Sequence, residues 1–310
     1  MNITFLDRLL LLSKRMWRKR VLYLIMLPSI VYFVCFKYMP MYGAIISFKE
    51  FSIRKGIMNS PWADPWYKHF AQFFHSPYFV QLLSNTLIIS FSKLIVSVPI
   101  AMGFAIALSE ISSVRYRRLV QTVTYLPHFL SWVIVYGILF AMFSETNGLI
   151  NFVIRQFTGN TVNFLSNPST FRGLVVLSEV WKETGWSAII YLAAILSIDA
   201  SLYEAAKVDG ASRLRSIWHI TLPGIRSVTI TLLLLSIGNI LDAGFDQIYV
   251  LYNERVYSVG DIIDTWVYRT GMRNMNFELA SAVGLFKSLV GTTLLCSMNA
   301  LARRWGESLW

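Results

Sequence analysis

Six stretches of the chain are apolar over about 20 residues, the length that a helix needs to cross the hydrocarbon core of a bilayer. Short connections rich in Lys and Arg alternate with longer ones rich in Pro, Asn, Trp and Tyr. The pattern therefore predicts an all-α integral membrane protein with six transmembrane helices. The predicted spans are Val21–Ile45, Leu82–Leu108, Leu119–Phe143, Leu174–Ile198, Ile220–Leu241 and Leu279–Leu301.

The basic residues are divided unequally between the two kinds of connection. Fifteen Lys and Arg residues lie on the side that holds the N-terminus, and ten lie on the opposite side, although its loops are far longer. Because cytoplasmic connections carry the excess of Lys and Arg, both termini are predicted to be cytoplasmic. The first span follows a basic segment, as a signal peptide does, but no small-residue cleavage site follows it. We interpret this span as a retained anchor.

The sequence predicts a single membrane domain, since no internal repeat, low-complexity tract or soluble linker divides the chain. The prediction comprises a cytoplasmic basic segment at 1–20, a six-helix membrane domain at 21–301 and a cytoplasmic tail at 302–310. A polar cytoplasmic loop at 199–224 lies within the membrane domain.

Composition supports membrane insertion. Of the residues, 55% are hydrophobic and only 15% are charged, whereas a soluble domain carries about 25% charged residues. The formal net charge is +11, but the basic residues fall between apolar runs instead of forming one face. A nucleic-acid partner is therefore not expected.

The motifs of common enzymes are absent from the sequence. No GxxxxGK[ST] occurs, so the chain is predicted to have no ATPase of its own. HExxH, GxSxG and GxGxxG are also missing, and the four histidines are scattered. Cys35 and Cys296 lie far apart inside apolar stretches. We therefore expect a non-catalytic protein without a metal site, a disulfide framework or a bound cofactor.

The loop at 199–224 has the most informative local sequence. Ser201 followed by Glu204 predicts a capping box and a helix of about eight residues from Leu202. Gly210 is suited to the left-handed conformation that ends a helix, and Ser212 is suited to capping the next one. We expect the short helix to present Tyr203, Ala205 and Ala206 on one face.

This loop resembles the EAA loop of binding-protein-dependent ABC importer permeases. The pattern is EAA, three residues, G, nine residues and I-x-LP, and every interval matches here. Its seven fixed positions are Glu204, Ala205, Ala206, Gly210, Ile220, Leu222 and Pro223. The resemblance implies that the short helix docks on a separate ATPase subunit, with Glu204 paired to a basic residue, Ala205 and Ala206 in close contact and Gly210 at the bend. Capping of its own helix is a second possible role for Glu204, and both roles remain open.

Other segments extend the resemblance to the carbohydrate-uptake branch. They are similar to permeases of the lipoprotein-type and polysaccharide group, which handle alginate- and pectin-derived oligosaccharides. The segments are Phe36–Gly43, Thr124–Trp132, Glu179–Trp186, Asn239–Asn253 and Leu285–Gly291. The resemblance implies a maltose-permease-like fold in a bacterial inner membrane.

The same resemblance implies a set of partners. They are a second, homologous permease, ATP-binding subunits that hold ATP and Mg, an extracellular solute-binding protein and an oligosaccharide. The sequence does not choose between neutral and uronic sugars.

Five ionisable residues fall within the predicted spans, where charge is costly unless it is paired or faces a cavity. They are Lys93, Glu179, Lys182, Glu183 and Lys287. One interpretation is that Glu179 and Glu183 neutralise Lys182 on the same helix. The other is that Trp181, Glu183 and Trp186 line a translocation path, where aromatic faces stack on sugars. Further candidates for the path are Asn85, His128, Trp132, Tyr136, Asn239 and Asp242.

The alternative function class is a self-sufficient secondary transporter driven by ions. In that case the intramembrane carboxylates and lysines would be the coupling groups.

Overall fold

The structure is a computed structural model that describes residues 17–304 and 306–307. Parts of the predicted terminal segments 1–20 and 302–310 lie outside the described residues. Within the described part the chain is helical, with a single isolated β-bridge between Lys49 and Trp62. The helices are α1 Arg20–Phe48, α2 Lys68–Phe74, α3 Phe79–Ser109, α4 Val114–Tyr125, α5 Trp132–Phe143, α6 Leu149–Thr158, α7 Pro168–Leu196, α8 Ala200–Val208, α9 Arg213–Gly224, α10 Arg226–Gly238, α11 Phe245–Leu251, α12 Ile263–Tyr268 and α13 Phe277–Arg303. Shorter helical turns occupy Gly56–Asn59, Leu126–Phe129, Glu254–Val256, Tyr257–Gly260 and Arg269–Arg273.

Three of these helices, α1, α3 and α13, are each long and apolar enough to cross a membrane. Three further candidate spans pass the same test only as bent pairs: α4 with α5, α7 with α8, and α9 with α10. The described chain thus contains up to six spans, which agrees with the predicted all-α membrane architecture.

The prediction of one continuous helix over Leu119–Phe143 is wrong. The turn Leu126–Phe129 ends the first half, and α5 starts at Trp132 after a bend of 104°. Two local signals explain the break. Pro127 has no N–H to continue an α-helix, and the hydroxyl of Ser131 accepts the N–H of Ile134 at 3.4 Å as an N-cap.

Close packing of α3 against α7 forms the centre of the bundle, where Ala101, Ala105 and Ala188 are fully or almost fully buried. Gly185, also on α7, lies against the backbone of α4. A Cβ at this position would stand 2.2 Å from the Thr124 carbonyl oxygen. Only glycine permits this approach of two helix backbones.

α1 stands apart from the rest of the bundle. No residue of Arg20–Phe33 is buried, and the contacts of α1 with α13 are made by its last turns, Tyr42–Phe48. An apolar helix in this position leaves a long hydrophobic surface for lipid or for another membrane protein.

Candidate coupling loop and translocation cavity

The short helix α8 is capped by Asp199. Its carboxylate accepts the backbone N–H of Ser201 at 2.9 Å, and the helix begins at Ala200. The predicted capping box of Ser201 and Glu204, with a helix start at Leu202, is therefore wrong. Asp and Ser are both good N-cap residues, and the aspartate lies two positions earlier. Hydrogen bonds from the backbone and side chain of Ser201 lower the pKa of Asp199.

Glu204 has no capping role in this arrangement, because it is the fifth residue of α8, two positions beyond the N3 residue of a capping box. Its side chain is exposed and forms no hydrogen bond or ion pair with any described residue. The carboxylate is therefore available to a second chain.

Gly210 ends α8 as the sequence predicts. Its φ is +74°, in the left-handed region, and the N–H of Ala211 reaches back to the Ala206 carbonyl at 2.8 Å. The N–H of Gly210 bonds the Lys207 carbonyl at 3.2 Å, which completes a Schellman motif. The hydroxyl of Ser212 then caps α9 by accepting the N–H of Arg215, also as predicted.

The exposed face of α8 differs in part from the predicted one. Tyr203 turns inward, and its hydroxyl bonds that of Thr221 at 2.9 Å. Ala206 is half-buried, whereas Ala205 is exposed beside Leu202 and Val208, of which 52% and 87% are accessible. The open face is therefore a small apolar patch with Glu204 at its edge.

The residues of the I-x-LP motif lie in the last part of the loop, where the chain re-enters the bundle. Ile220 lies in a π-helical turn at Ile217–Thr221, and Leu222 packs against the core between α3 and α7, while Pro223 is exposed. At the end of the loop, Gly224 lies so close to Ile198 that a Cβ would stand 2.5 Å from its Cδ1. The two ends of the loop are thus in contact with each other.

A cavity of about 500 Å³ opens between α3, α7, α10 and the segment that follows α10. Its polar and aromatic lining includes Lys93, Glu179, Trp186, Asn239 and Asp242. Three of these residues are predicted path candidates, namely Trp186, Asn239 and Asp242. The lining combines a flat aromatic ring with hydrogen-bond donors and acceptors, the groups that suit a polyhydroxylated ligand.

Lys93 connects three parts of the cavity wall. Its Nζ donates to the Ala243 carbonyl at 2.8 Å, to the Gln247 side-chain oxygen and to Glu179 at 3.4 Å. The expected neutralisation of Lys182 by Glu179 is therefore wrong, because Glu179 pairs across helices with Lys93. Spacing along one helix identifies neighbours on that helix and gives no information about charges on another.

Lys182, on α7, supports the break between α4 and α5. Lys182 donates to the His128 carbonyl at 2.6 Å and to Glu183 at 3.0 Å, as the same-helix interpretation expected for Glu183. The ring of His128 bonds Glu183 at 2.7 Å and stacks on Trp186, with centroids 4.5 Å apart. His128 and Glu183 thus hold the ring of a residue that lines the cavity.

The remaining path candidates lie elsewhere. Asn85 is buried, donates to the Asp261 carbonyl at 2.9 Å and accepts from Arg172 at 2.7 Å. Trp132 and Tyr136 pack against an apolar core, and Trp181 is exposed on the side of α7 opposite Glu179. The sequence marked these residues as polar or aromatic within a span, a signal that does not distinguish a cavity from a packed interior or a lipid-facing surface.

Comparison with known proteins assigns the class of this molecule. Residues 96–307 match the family described as the binding-protein-dependent transport system inner membrane component. The chain belongs to this family, and it is a membrane-spanning permease subunit of an ABC importer. Within the described residues, no group of three or more His, Cys, Asp and Glu side chains is placed to hold a metal ion.

Individual relatives are similar over almost the whole chain. The polygalacturonan/rhamnogalacturonan transport system permease protein YteP of Bacillus subtilis (strain 168) is 44% identical over 94% of this chain and 90% of its own length. Protein LplB of the same organism is 43% identical over 94% of this chain and 91% of its own length. The resemblance to carbohydrate permeases found in the sequence is confirmed.

Solved structures are similar over the same range. A chain of a bacterial ABC transporter involved in the import of the acidic polysaccharide alginate matches with a TM-score of 0.86 and 37% identity, over 94% of this chain and 98% of that chain. A bacterial alginate ABC transporter in complex with an alginate pentasaccharide-bound periplasmic protein matches with a TM-score of 0.85 and 36% identity, over 95% and 98%. The ion-coupled secondary transporter considered from the sequence has no support from these matches.

Proposed function

We propose that this permease subunit translocates an oligosaccharide into a bacterial cell when separate ATPase subunits, which bind ATP and Mg, close against the loop 199–224. The observation that carries the proposal is α8, which is capped at both ends and presents an exposed Glu204 that pairs with none of the described residues. A rigid helix with a free carboxylate is suited to bind a basic site on another chain. In this role Glu204 and Ala205 contact the ATPase, while Ala206, Gly210, Ile220, Leu222 and Pro223 hold the helix in place.

The cavity supports a carbohydrate as the substrate. Trp186 offers a ring that a sugar face can cover, and Glu179, Asn239 and Asp242 offer acceptors for hydroxyl groups. The printed names of the relatives, which concern polygalacturonan, rhamnogalacturonan and alginate, favour an oligosaccharide that contains uronic acid units. An extracellular solute-binding protein would deliver it.

A second permease subunit is the proposed neighbour within the membrane. The first part of α1 has no buried residue, and the cavity is open on one side. A homologous chain placed against this one would cover α1 and close the cavity. The proposal also assigns both termini to the cytoplasm, on the distribution of Lys and Arg in the sequence, with a basic segment at 1–20, a membrane domain at 21–301 and a tail at 302–310.

Uptake into proteoliposomes tests the proposal. The chain is reconstituted with its second permease, the ATPase subunits and the binding protein, and labelled neutral and uronic oligosaccharides are offered. We expect ATP-dependent uptake of an oligosaccharide. Uptake by this chain alone under a proton or sodium gradient, or transport of amino acids or metal ions instead, would overturn the proposal.

A further inference from the structure

Beyond the cavity, the segment between α10 and α13 carries three aromatic rings in mutual contact, which we call the aromatic shelf: Phe245, Tyr249 and Tyr268. The rings of Phe245 and Tyr249 are stacked with centroids 5.3 Å apart, and Tyr268 meets Tyr249 edge-on at 5.0 Å. All three rings are half-buried, so part of each is open to the outside. Hydrogen bonds from Tyr268 and Arg273 lower the pKa of Tyr249. These contacts hold the rings in one arrangement.

Arg273 places a free cation beside the shelf. Its guanidinium is exposed and contacts the Tyr249 hydroxyl at 3.4 Å, and no carboxylate of the described residues forms an ion pair with it. Arg269, one turn earlier, is different, because both of its terminal nitrogens bond Asp261, at 2.9 and 2.5 Å. Of these two arginines, Arg273 is the one with capacity to bind an anion.

A hollow beside two rings of the shelf shares one lining residue with the translocation cavity. It has a volume of about 540 Å³, and its lining includes Phe245, Tyr268, Met272 and Asp242. Asp242 also lines the cavity between α3 and α7. The hollow that Phe245 and Tyr268 line therefore borders the cavity at Asp242.

We propose that the aromatic shelf and Arg273 form an outer binding subsite, which holds a carboxylate-bearing sugar unit of the oligosaccharide before the chain passes Asp242. The apolar face of a sugar ring packs on an aromatic ring, and a guanidinium binds a carboxylate through two parallel hydrogen bonds. The inference rests on the proposed function and assigns its substrate to the acidic class.

The test measures KM for uptake by the reconstituted importer, with an oligouronate and with its methyl-esterified, uncharged counterpart. Arg273→Gln is expected to raise KM for the oligouronate about tenfold and to leave KM for the ester unchanged. Tyr249→Leu combined with Tyr268→Leu is expected to raise both values. Arg273→Lys should restore part of the loss, and Tyr249→Phe, which keeps the ring, should stay near the wild type for the ester.

Matched controls separate the subsite from general damage. Arg255→Gln removes another exposed arginine of the same outer segment, and Phe157→Leu removes an exposed aromatic ring of α6. Both should behave as the wild type. If Arg273→Gln and Arg255→Gln have equal KM values for the oligouronate, the inference is overturned while the proposed function remains intact.

Two further outcomes would also overturn the inference. If the shelf variants lower ATP hydrolysis stimulated by sugar-free binding protein, the shelf binds that protein and not the sugar. If the wild-type importer takes up no oligosaccharide at all, the proposed function fails, and the substrate named here fails with it.

Discussion

Lys182 donates to the backbone carbonyl of His128 at 2.6 Å, and so a charged side chain of α7 satisfies the broken end of the α4 segment. A backbone carbonyl that lacks its helical hydrogen bond inside a membrane has no water molecule to donate to it. It must therefore accept a hydrogen bond from another group of the protein. The lysine also bonds Glu183 at 3.0 Å and lies over the Trp132 ring at 5.4 Å. The break is therefore a supported feature of the fold.

Replacement of Lys182 by methionine should destabilise the subunit by about 1–3 kcal/mol, because it leaves the His128 carbonyl without its donor and Glu183 with the His128 ring as its remaining partner. Thermal unfolding in detergent measures the effect. Lys68→Met is the control, since Lys68 pairs with Glu50 at an exposed site, where such pairs contribute little. Equal midpoints for the two variants would contradict the supporting role of Lys182.

Replacement of Glu204 by glutamine should lower coupled ATP hydrolysis about tenfold or more, because a basic group of the ATPase would lose its partner at the interface. Helix content should not change, since Asp199 provides the cap. ATPase retention on the purified complex and binding-protein-stimulated hydrolysis provide the measurements. Asp209→Asn removes an exposed carboxylate from the end of the same helix and should have a small effect; full activity of Glu204→Gln would refute the ion pair.

Replacement of Gly210 by valine should lower the conformational stability of the coupling loop by about 1–3 kcal/mol, because a β-branched residue is strained at a φ of +74°. Asparagine tolerates this conformation and should retain most of the function. Affinity for the ATPase subunit distinguishes the two variants. Equal losses would show that the side chain at this position, and not the backbone conformation, is decisive.

Replacement of Gly185 by alanine should destabilise the bundle by about 1–3 kcal/mol, because the new Cβ would stand 2.2 Å from a backbone oxygen of α4. Gly173→Ala is the control. Gly173 is on the same helix, a Cβ there would have no atom within 4 Å, and the substitution should be neutral or slightly stabilising. Thermal unfolding of the two variants makes the comparison. Similar stabilities would show that the helices separate without cost.

Membrane orientation can be checked by cysteine labelling in intact cells, after Cys35 and Cys296 have been replaced. A cysteine at Asn59 should react with an impermeant reagent, and one at Ser112 should be protected. Both positions are exposed on the subunit. The opposite pattern would invert the topology proposed from the distribution of basic residues.

The apolar length signal predicted the positions of α1, α3, α7 and α13 well, because a long run of apolar residues has few alternatives to a helix in a membrane. The break at Ser131 was missed, since one hydroxyl and one proline within an apolar run do not shorten the run. The end of α8 at Gly210 was predicted correctly, because a glycine in left-handed conformation is a local property. The cap was misplaced by two residues because Asp199 and Ser201 compete for the same role.

The ion pairs between different helices could not be predicted from the sequence. Lys93 and Glu179 are 86 positions apart and meet only through the packing of α3 on α7. The same limit applies to Asn85, whose partners Arg172 and Asp261 lie on other elements. The sequence identified Lys93 and Glu179 as costly to place in a span and Asn85 as a path candidate, and tertiary structure decided what each of them contacts.

The contact between Ile198 and Gly224 makes the base of the coupling loop narrow, with α7 entering and α10 leaving at one point. From there α7 runs without interruption to Pro168, and it carries Glu183 and Trp186 along its length. The part of α7 between its end at Leu196 and Glu183 is about 20 Å long at 1.5 Å per residue. A displacement of α8 would therefore be passed to α7, the helix that contributes Glu179 and Trp186 to the wall of the cavity.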